Sequence, residues 1–441
     1  MTNPILEQRK AILFFSLLLL LYTFAPRYVG MGHASRYDLT LAVADDHTFN
    51  IDKYVHNTID WSFYNGHYYT NKAPGVSLLA VPFYFLLTRT EKFLNIDTTH
   101  WGYRNLRWTD VCVTALPSVL LCILFFIYLS RLSIRGSHPW IVVFAYAVAS
   151  NAFTFSTMLW AHQTAAAFLF ASFFFLVSEK KPFWMGFFLG LAILTEYSTA
   201  LALPAYFLYL VTKSEANAAP IRNSQRARNI ILAAVGGLPW FILFCFYHKV
   251  CFGGFLHLAN RYGNPVFVEQ EKIFGVLGIP SFSAFYKLLI GIHRGVFMIS
   301  PILALSLLGF VRWLKEYKYR AEGLISLWIV LGFLLFNSSF NAWHAGCTSG
   351  PRYLVPMLPF LAVPLIWVKP GKFFYFALFI SAINVAAIAA VDTTVCIELR
   401  LLDEGIYPHI FGAAQRWRQL FPIGFTVIAL FFISRWKAKL S

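Results

Sequence analysis

Side chains that could do chemistry gather in one polar stretch of the chain, from Tyr28 to Trp108. A carboxylate can bind a sugar hydroxyl or take its proton, and an arginine or lysine can neutralise a phosphate. Flat aromatic rings in the same stretch can stack on sugar faces. This mixture predicts a site for an acidic or phosphorylated carbohydrate, and a solvated surface segment is the competing interpretation. The residues that we single out are Arg36, Asp38, Asp52, Asp60, His67, Tyr69 and Lys72.

A phosphate contact is the role that we expect of Lys72. It begins the run Lys72-Ala73-Pro74-Gly75, and proline is favourable at the first position of a helix. The free N–H groups at a helix N-terminus attract anions. A lysine beside such a helix end predicts a phosphate site at the membrane surface, whereas a plain helix start is the alternative.

Four further candidates come later in the chain. Glu196 and His162 lie within or beside apolar segments, where ionisable groups are costly and are usually retained for function. His344 and Arg352 lie in a loop that contains glycine and proline, and arginine can bind phosphate through a two-pronged fork. The alternatives are an interfacial histidine for His162 and an arginine that extends to water for Arg352.

Metal and disulfide chemistry have weaker sequence signals. Asp45-Asp46-His47 could be a metal cluster, but Asp-Asp-His-Thr before an apolar stretch is more typical of a turn. We therefore assign no metal ligand and no certain cofactor. The six cysteines show no CxxC spacing. Cys251, Cys347 and Cys396 fall on the same predicted side of the membrane, so a disulfide among them is left open, with Cys347 and Cys396 as the pair to be considered.

The elements that must position these residues are membrane helices. The chain has 441 residues, of which 58% are hydrophobic and 13% charged, against about 25% charged in soluble domains. Its apolar runs approach the roughly 20 residues that cross a bilayer. The sequence therefore predicts an all-α polytopic membrane protein. Lysine and arginine of the cytoplasmic loops explain the net charge of +16, so we expect no nucleic-acid partner.

The distribution of positive charge predicts the topology. About twelve crossings place the basic loops in the cytoplasm, if residues 74–87 form an interfacial helix that Pro82 interrupts. The prediction is one integral membrane domain over residues 1–441, with both termini cytoplasmic and a retained first helix. Residues 286–311 are expected to form one continuous crossing. The periplasmic loops would be 28–107, which holds the candidate catalytic residues, 249–283 and 392–420.

Several ordered motifs resemble bacterial members of the GT-C superfamily, near the protein O-mannosyltransferases and the lipid A aminoarabinose transferases. Each motif is weak alone, but together they cover most of the chain in the expected order. They are Ser35-Arg36-Tyr37-Asp38-Leu39-Thr40, Phe49-Asn50-Ile51-Asp52, Gly66-His67-Tyr68-Tyr69, Lys72-Ala73-Pro74-Gly75, Cys251-Phe252-Gly253, His293-Arg294-Gly295, Ser300-Pro301 and Gly350-Pro351-Arg352-Tyr353.

The resemblance implies a GT-C-like fold and an inverting glycosyltransferase of the bacterial inner membrane. The donor would be a polyprenyl-phosphate sugar, and the acceptor a glycan, lipid or protein on the outer face. An acidic residue of the first outer loop would be the general base. Relatives usually carry an acidic pair just after the first helix, where this chain has His33-Ala34. The nearest carboxylate is that of Asp38.

The expected roles follow from the residues and the resemblance together. Asp38 is the first candidate for the base, with Asp52 and Asp60 as rivals. Arg36, Lys72 and Arg352 would hold the donor phosphate. The cavity would be lined by Glu196, His162, His344, His67 and Tyr69. A flippase or transporter of lipid-linked sugars and an O-antigen ligase-like enzyme are the alternatives, although the large loop of such ligases comes late in the chain.

Overall fold

A computed structural model of the chain describes residues 4–25, 31–95, 104–132, 134, 138–212, 223–269, 271–292, 294–346, 348, 350–390 and 417–436. Helices form most of this part, with a small hairpin near its start. The first elements are α1 (Pro4–Phe24), α2 (Met31–Asp45), β1 (Trp61–Tyr64), β2 (His67–Thr70), α3 (Gly75–Phe93), α4 (Arg104–Asp110), α5 (Leu116–Arg131), α6 (Pro139–Val148), α7 (Ala152–Phe155), α8 (Ala161–Val177), α9 (Pro182–Thr195) and α10 (Leu203–Thr212).

The remaining elements continue the helical pattern with more interruptions. They are α11 (Asn223–Phe252), α12 (Phe282–Ile290), α13 (Val296–Ile299), α14 (Ser306–Lys315), α15 (Arg320–Ser338), α16 (Leu358–Ala362), α17 (Lys372–Ala390) and α18 (Trp417–Arg435). A π-helix over Val111–Ala115 joins α4 to α5. Short 3₁₀ segments cover Val55–Asn57, Tyr197–Ala202, Ala259–Tyr262, Pro301–Leu305, Tyr317–Tyr319, Arg352–Met357 and Val363–Trp367.

Four helical stretches of the described chain are long and apolar enough to cross a membrane. They cover Arg107–Arg131, Asn223–Phe252, Tyr317–Ser338 and Lys372–Ala389. Shorter apolar helices of 10–17 residues accompany them, among them α6, α8 and α9. The helical membrane class that the composition predicts is therefore found, and the number of about twelve crossings stays a prediction.

The segment 286–311, which we expected to form one helix, is broken in the structure. It divides into α12, α13, a 3₁₀ segment and α14, with an irregular stretch after Ile290. Gly291 and Gly295 lie in that stretch, and a side chain on Gly295 would meet the Gly291 carbonyl oxygen at 2.6 Å. Pro301 then removes a backbone donor. Glycine and proline together explain why the continuous helix was the wrong expectation.

The polar stretch between α1 and α4 is more ordered than a loop. It contains α2, the hairpin and α3, which pack on one another. The expected helix over residues 74–87 is present and extends to Phe93. Pro82 does not interrupt it, contrary to expectation. The ring of Pro82 lies on the exposed side of α3, so the helix can carry it without burying an unpaired carbonyl.

Close helix packing holds the segment that ends at Glu196. Helices α9 and α11 cross at two glycines. Gly186 of α9 faces the backbone of α11, and Gly236 of α11 faces the backbone of α9. A Cβ atom added to Gly236 would lie 2.0 Å from the Phe183 carbonyl oxygen. One on Gly186 would lie 1.8 Å from the Ala233 carbonyl oxygen. Only glycine permits this approach.

A second, smaller core ties the hairpin to the helical body. It joins residues of α2 and β2 to the C-terminal end of α11, where Tyr69 packs on Phe252 with 5.3 Å between ring centroids. Ser62 of β1 also donates a hydrogen bond to the Ala259 carbonyl, at 2.7 Å. The hairpin is thereby fixed against helices that are far away in sequence.

We predict that Gly236→Ala lowers the thermal unfolding midpoint of the purified protein, because the new methyl group must separate α9 from α11. Overpacking of this kind costs about 1–3 kcal/mol. Gly332→Ala, within helix α15, is the matched control, since a Cβ there would lie 3.9 Å from its nearest neighbour, Cβ of Leu201. There the gain in helix propensity should leave stability equal or higher. Equal midpoints for the two variants would contradict the packing described.

Candidate active site

Helix α2 directs its polar residues to different neighbours because successive residues point about 100° apart around a helix. Ser35 and Asp38 face the hairpin and the segment before it. The Ser35 hydroxyl donates to the Asp60 carbonyl at 2.5 Å and contacts the Thr70 hydroxyl at 2.7 Å. Arg36 faces another side and donates to the Gly32 carbonyl at 2.6 Å. These contacts fix α2 relative to Asp60.

The hairpin brings a carboxylate and a lysine together. Trp61 pairs with Thr70 in its register, so Asp60, just before β1, lies beside Lys72, just after β2. The Lys72 ammonium is 3.0 Å from an Asp60 carboxylate oxygen. Both side chains are less than one-fifth exposed. The pair therefore follows from the hairpin register.

A second acid lies beside this pair. Gly75 begins α3 in close contact with the end of α9, since a Cβ there would lie 2.6 Å from backbone atoms of Leu194 and Thr195. Glu196 follows directly, and its carboxylate is 3.0 Å from Nδ1 of His162 at the start of α8. Glu196 also interacts electrostatically with Arg36 and Lys72. Lys72 and Glu196 thus belong to one cluster.

Trp160 holds two arginines at the centre of that cluster. The guanidinium carbon of Arg36 lies 5.3 Å from the indole centroid, and that of Arg352 lies 4.5 Å from it. His162 stacks on the same indole with 5.9 Å between centroids. Gly32 makes the approach feasible, because a Cβ there would meet the indole at 2.9 Å. Cation–π attraction therefore gathers two charges that repel each other.

The site cluster, as we call Arg36, Asp60, Lys72, His162, Glu196 and Arg352, carries an excess of positive charge. Its three cations face two carboxylates, which leaves one formal positive charge when His162 is neutral. Burial lowers the pKa of Arg36 to about 10, although Glu196 and Asp60 oppose that effect. Burial raises the pKa of Asp60, but Lys72, Arg352 and Arg36 outweigh it and keep that pKa below its ordinary value. Asp60 is therefore ionised, and the cluster suits an added anion.

Asp38 lies on another side of α2 from Arg36. Its carboxylate is 2% exposed and accepts a hydrogen bond from the Asn57 side-chain amide at 3.0 Å. Burial raises the pKa of Asp38 to about 7, although the Asn57 hydrogen bond acts the other way. This carboxyl group is thus partly protonated near neutral pH, unlike that of Asp60.

Asp52, His67 and Tyr69 form contacts away from the site cluster. The Asp52 carboxylate lies 2.7 Å from Nδ1 of His67 and accepts the Tyr68 backbone N–H at 2.7 Å. The Asp52–His67 pair is exposed. Tyr69 faces the smaller core on α11, whereas the next residue, Thr70, faces Ser35. Alternation along a strand puts these two side chains on opposite faces.

His344 and Arg352 occupy one loop but differ in burial. His344 is exposed, and its Nδ1 accepts the Gly346 N–H at 3.1 Å. Partial desolvation of the imidazole, together with the nearby charges of Arg294 and Arg352, lowers its pKa. Arg352 is buried over Trp160 and donates to the Tyr353 hydroxyl at 3.1 Å. Arg352 is therefore not an arginine that extends to water, which was the alternative considered from the sequence.

The acidic run after α2 forms a turn. Asp45 accepts a hydrogen bond from Tyr84 at 3.0 Å, and Asp46 pairs with Lys53 at 2.9 Å. His47 has a backbone φ of 53°, as in a tight turn. Within the described ranges, no group of three metal-binding side chains occurs. Cys347 and Cys396 lie outside the described residues.

Sequence reasoning missed the residues that assemble the site cluster. Trp160 is one of 13 tryptophans, and its adjacency to His162 was the one available signal. Gly32 and Ser35 contribute through contacts with segments more than twenty residues away. Such long-range contacts leave no local pattern in the sequence.

Comparison with known proteins gives a match of fold. No protein-family model matches the chain, and no curated protein matches it either. The structure of ArnT from Cupriavidus metallidurans in the apo state is similar, with a TM-score of 0.52, 16% identity, and coverage of 96% of this chain and 76% of ArnT. The structure of the same protein bound to undecaprenyl phosphate gives a TM-score of 0.53, 15% identity, and coverage of 96% and 77%. The chain therefore shares the fold of ArnT, and the resemblance drawn from its motifs is confirmed at the level of the fold.

We predict that Trp160→Leu destabilises the protein more than Trp160→Phe, measured as thermal unfolding midpoints in detergent. Phenylalanine keeps an aromatic face for Arg36 and Arg352, whereas leucine keeps none and also fills less of the space. Each lost cation–π contact at a buried site is worth about 2 kcal/mol. Trp184→Leu, at an exposed indole, is the control and should change little. Equal losses for the leucine and phenylalanine replacements of Trp160 would show that volume alone matters at this position.

Proposed function

We propose that the chain is an inverting glycosyltransferase that moves a sugar from a polyprenyl-phosphate carrier to an acceptor hydroxyl. The observation that carries this proposal is the buried site cluster with its excess of positive charge, in a fold shared with ArnT. The comparison structure of ArnT that contains undecaprenyl phosphate supports the carrier class. A lipid-linked phosphate is an anion that reaches such a cluster from the membrane.

The cations would bind the donor phosphate and stabilise it as it leaves. The acceptor oxygen attacks the anomeric carbon, and the bond from that carbon to the phosphate oxygen breaks. The electron pair and the negative charge go to the polyprenyl phosphate. Arg36, Lys72 and Arg352 are placed to neutralise this developing charge through charge-assisted hydrogen bonds. No nucleotide is required, because the leaving group is already a phosphate.

Asp60 is the general base that the geometry supports best. It lies among the cations and is ionised, so it can take the proton of the acceptor hydroxyl as the new bond forms. Asp38 was the first candidate from the motif, but its carboxylate faces Asn57. Asp52 is engaged by His67 and the hairpin backbone. We therefore prefer Asp60 to both rivals.

His162 would contact the donor sugar. The Glu196 carboxylate lies 3.0 Å from Nδ1 of His162, and Nε2 is on the opposite side of the ring. That Nε2 atom is buried and has no hydrogen-bond partner among the described residues. A sugar hydroxyl is the group that would satisfy it. Trp160, stacked on the same imidazole, would close one wall of the donor site.

The site would open to the periplasm of a bacterial inner membrane. The proposal of about twelve crossings with cytoplasmic termini rests on the positive-inside distribution of lysine and arginine. In that arrangement α2, the hairpin and α3 lie at the outer surface, with α3 along the interface. The acceptor would then be a periplasmic or exported glycan, lipid or protein.

We predict that Asp60→Asn lowers transfer by about 100-fold or more, the usual contribution of a positioned base, and that Asp38→Asn changes it little. The assay is the amount of carrier-bound monosaccharide in cells that depend on each variant. The Asp60 variant should accumulate one such lipid, as a deletion strain should also do. Both substitutions are isosteric, so each controls for the packing effect of the other.

The pH dependence of sugar transfer also distinguishes Asp60 from Asp38 as the general base. The pKa of Asp60 lies below its ordinary value. If Asp60 is the base, transfer activity should therefore show no acid limb near neutral pH, that is, no fall as the pH is lowered. If Asp38 were the base, activity in membranes should rise with pH through about 7 and lose that limb in the Asp38→Asn variant. Normal transfer in the Asp60 variant, or an acid limb that Asp38 controls, would refute the assignment to Asp60.

A further inference from the structure

The loop that leads to Arg352 has an irregular backbone. It follows α15, and its residues Ala345, Gly346 and Gly350 have φ values of 65°, 63° and 73°. Such a backbone cannot pair its carbonyl groups in a regular ladder, so they need other donors. The conformation of this loop decides where the Arg352 guanidinium lies relative to Trp160.

One guanidinium group supplies several of those donors. Nη1 of Arg294 donates to the Thr348 carbonyl, and it lies 3.3 Å from the Gly350 carbonyl oxygen. Nη2 of Arg294 donates to the Gly346 carbonyl at 2.7 Å. Three carbonyls within five residues are thus bound by a single side chain. Most of the five N–H donors of Arg294 are thereby used within the loop.

Close packing also holds the loop at Gly350. A Cβ added to Gly350 would lie 2.6 Å from Ile299 and 2.7 Å from the Asn151 side-chain nitrogen. The Gly350 carbonyl also accepts the Arg352 backbone N–H at 3.1 Å. The loop is therefore fixed between Arg294 on one side and Ile299 with Asn151 on the other, two residues before Arg352.

A positive charge at position 294 is electrostatically unfavourable. The charges of Arg294 and Arg352 lie close enough to repel each other. A neutral donor would avoid this repulsion, but the guanidinium presents its donors in a wide, rigid fork that reaches carbonyls on both Nη atoms. The ammonium of a lysine is a compact group without that fork. The hydrogen bonds of Arg294 therefore support the loop in spite of the repulsion between Arg294 and Arg352.

We propose that Arg294 is a positioning residue, which fixes the Gly346–Arg352 loop and thereby holds Arg352 at the donor phosphate. The inference rests on the proposed function for its kinetic consequence, because Arg352 is there a phosphate ligand. It assigns a role to the position that the motif His293-Arg294-Gly295 left without one. Arg294 acts through Arg352 and does not itself touch the substrate.

The test compares Arg294→Lys and Arg294→Ala with Lys287→Ala as control. Lys287 lies over the Trp343 ring at 5.6 Å, so it is a cation beside the same loop. Both Arg294 variants should lose about 100-fold in kcat for sugar transfer, the scale expected when a catalytic group is displaced by about 1 Å. The Lys287 variant should retain activity. If Arg294 instead bound phosphate directly, both variants would lose activity while the loop amides exchanged as in the wild type, which would overturn the proposal.

A double-mutant cycle checks that the effect passes through Arg352. In an Arg352→Ala background, Arg294→Lys should change kcat less than about twofold, because the group that it positions is already absent. Multiplicative losses would overturn the proposal. A loss of thermal stability with unchanged turnover per folded molecule would also overturn it, since the role would then be structural alone.

Hydrogen exchange gives a measurement that needs no enzymatic activity. Backbone amides of residues 343–352 should exchange faster in both Arg294 variants than in the wild type, with the Lys287 variant unchanged. Unchanged exchange in the Arg294 variants would overturn the support of the loop. Absence of sugar transfer by the wild type would count against the proposed function, and exchange would still decide whether Arg294 fixes the loop.

Discussion

The buried charges beside Trp160 are the constraint on which the rest of this structure depends. Taking an ion out of water costs several kcal/mol unless partners compensate. Arg36 and Arg352 both lie over the Trp160 ring, and Asp60 and Glu196 balance part of the positive charge. The compensation is incomplete by one charge. A phosphate would complete it, and this is why the arrangement favours an anion over a neutral ligand.

Close contacts that only small residues permit bring these charges together from distant segments. Gly32 lets α2 approach Trp160, and Gly75 lets α3 begin against the end of α9. The hairpin register then sets Asp60 beside Lys72. Gly350 admits the loop that carries Arg352. The site is thus assembled where backbone segments come into close contact, and its charged side chains come from different segments of the chain.

Much of this arrangement could be predicted from residue types. The helical membrane class follows from composition, and Lys72, Glu196, His162 and Arg352 are unusual charges in apolar or glycine-rich surroundings. The structure brings all four into one cluster. Which aspartate accompanies them could not be predicted, because Asp38, Asp52 and Asp60 lie within one polar stretch and differ only in the partners that folding gives them. The break after Ile290 was missed because apolar composition alone does not show where glycine and proline end a helix.

The position of the bound carrier headgroup tests the central claim most directly. A cryo-electron microscopy map of the wild-type protein loaded with undecaprenyl phosphate should show the phosphate within hydrogen-bond distance of Lys72 and of at least one of Arg36 and Arg352. The account would be contradicted by a phosphate bound elsewhere on the protein while the site cluster keeps its unliganded arrangement.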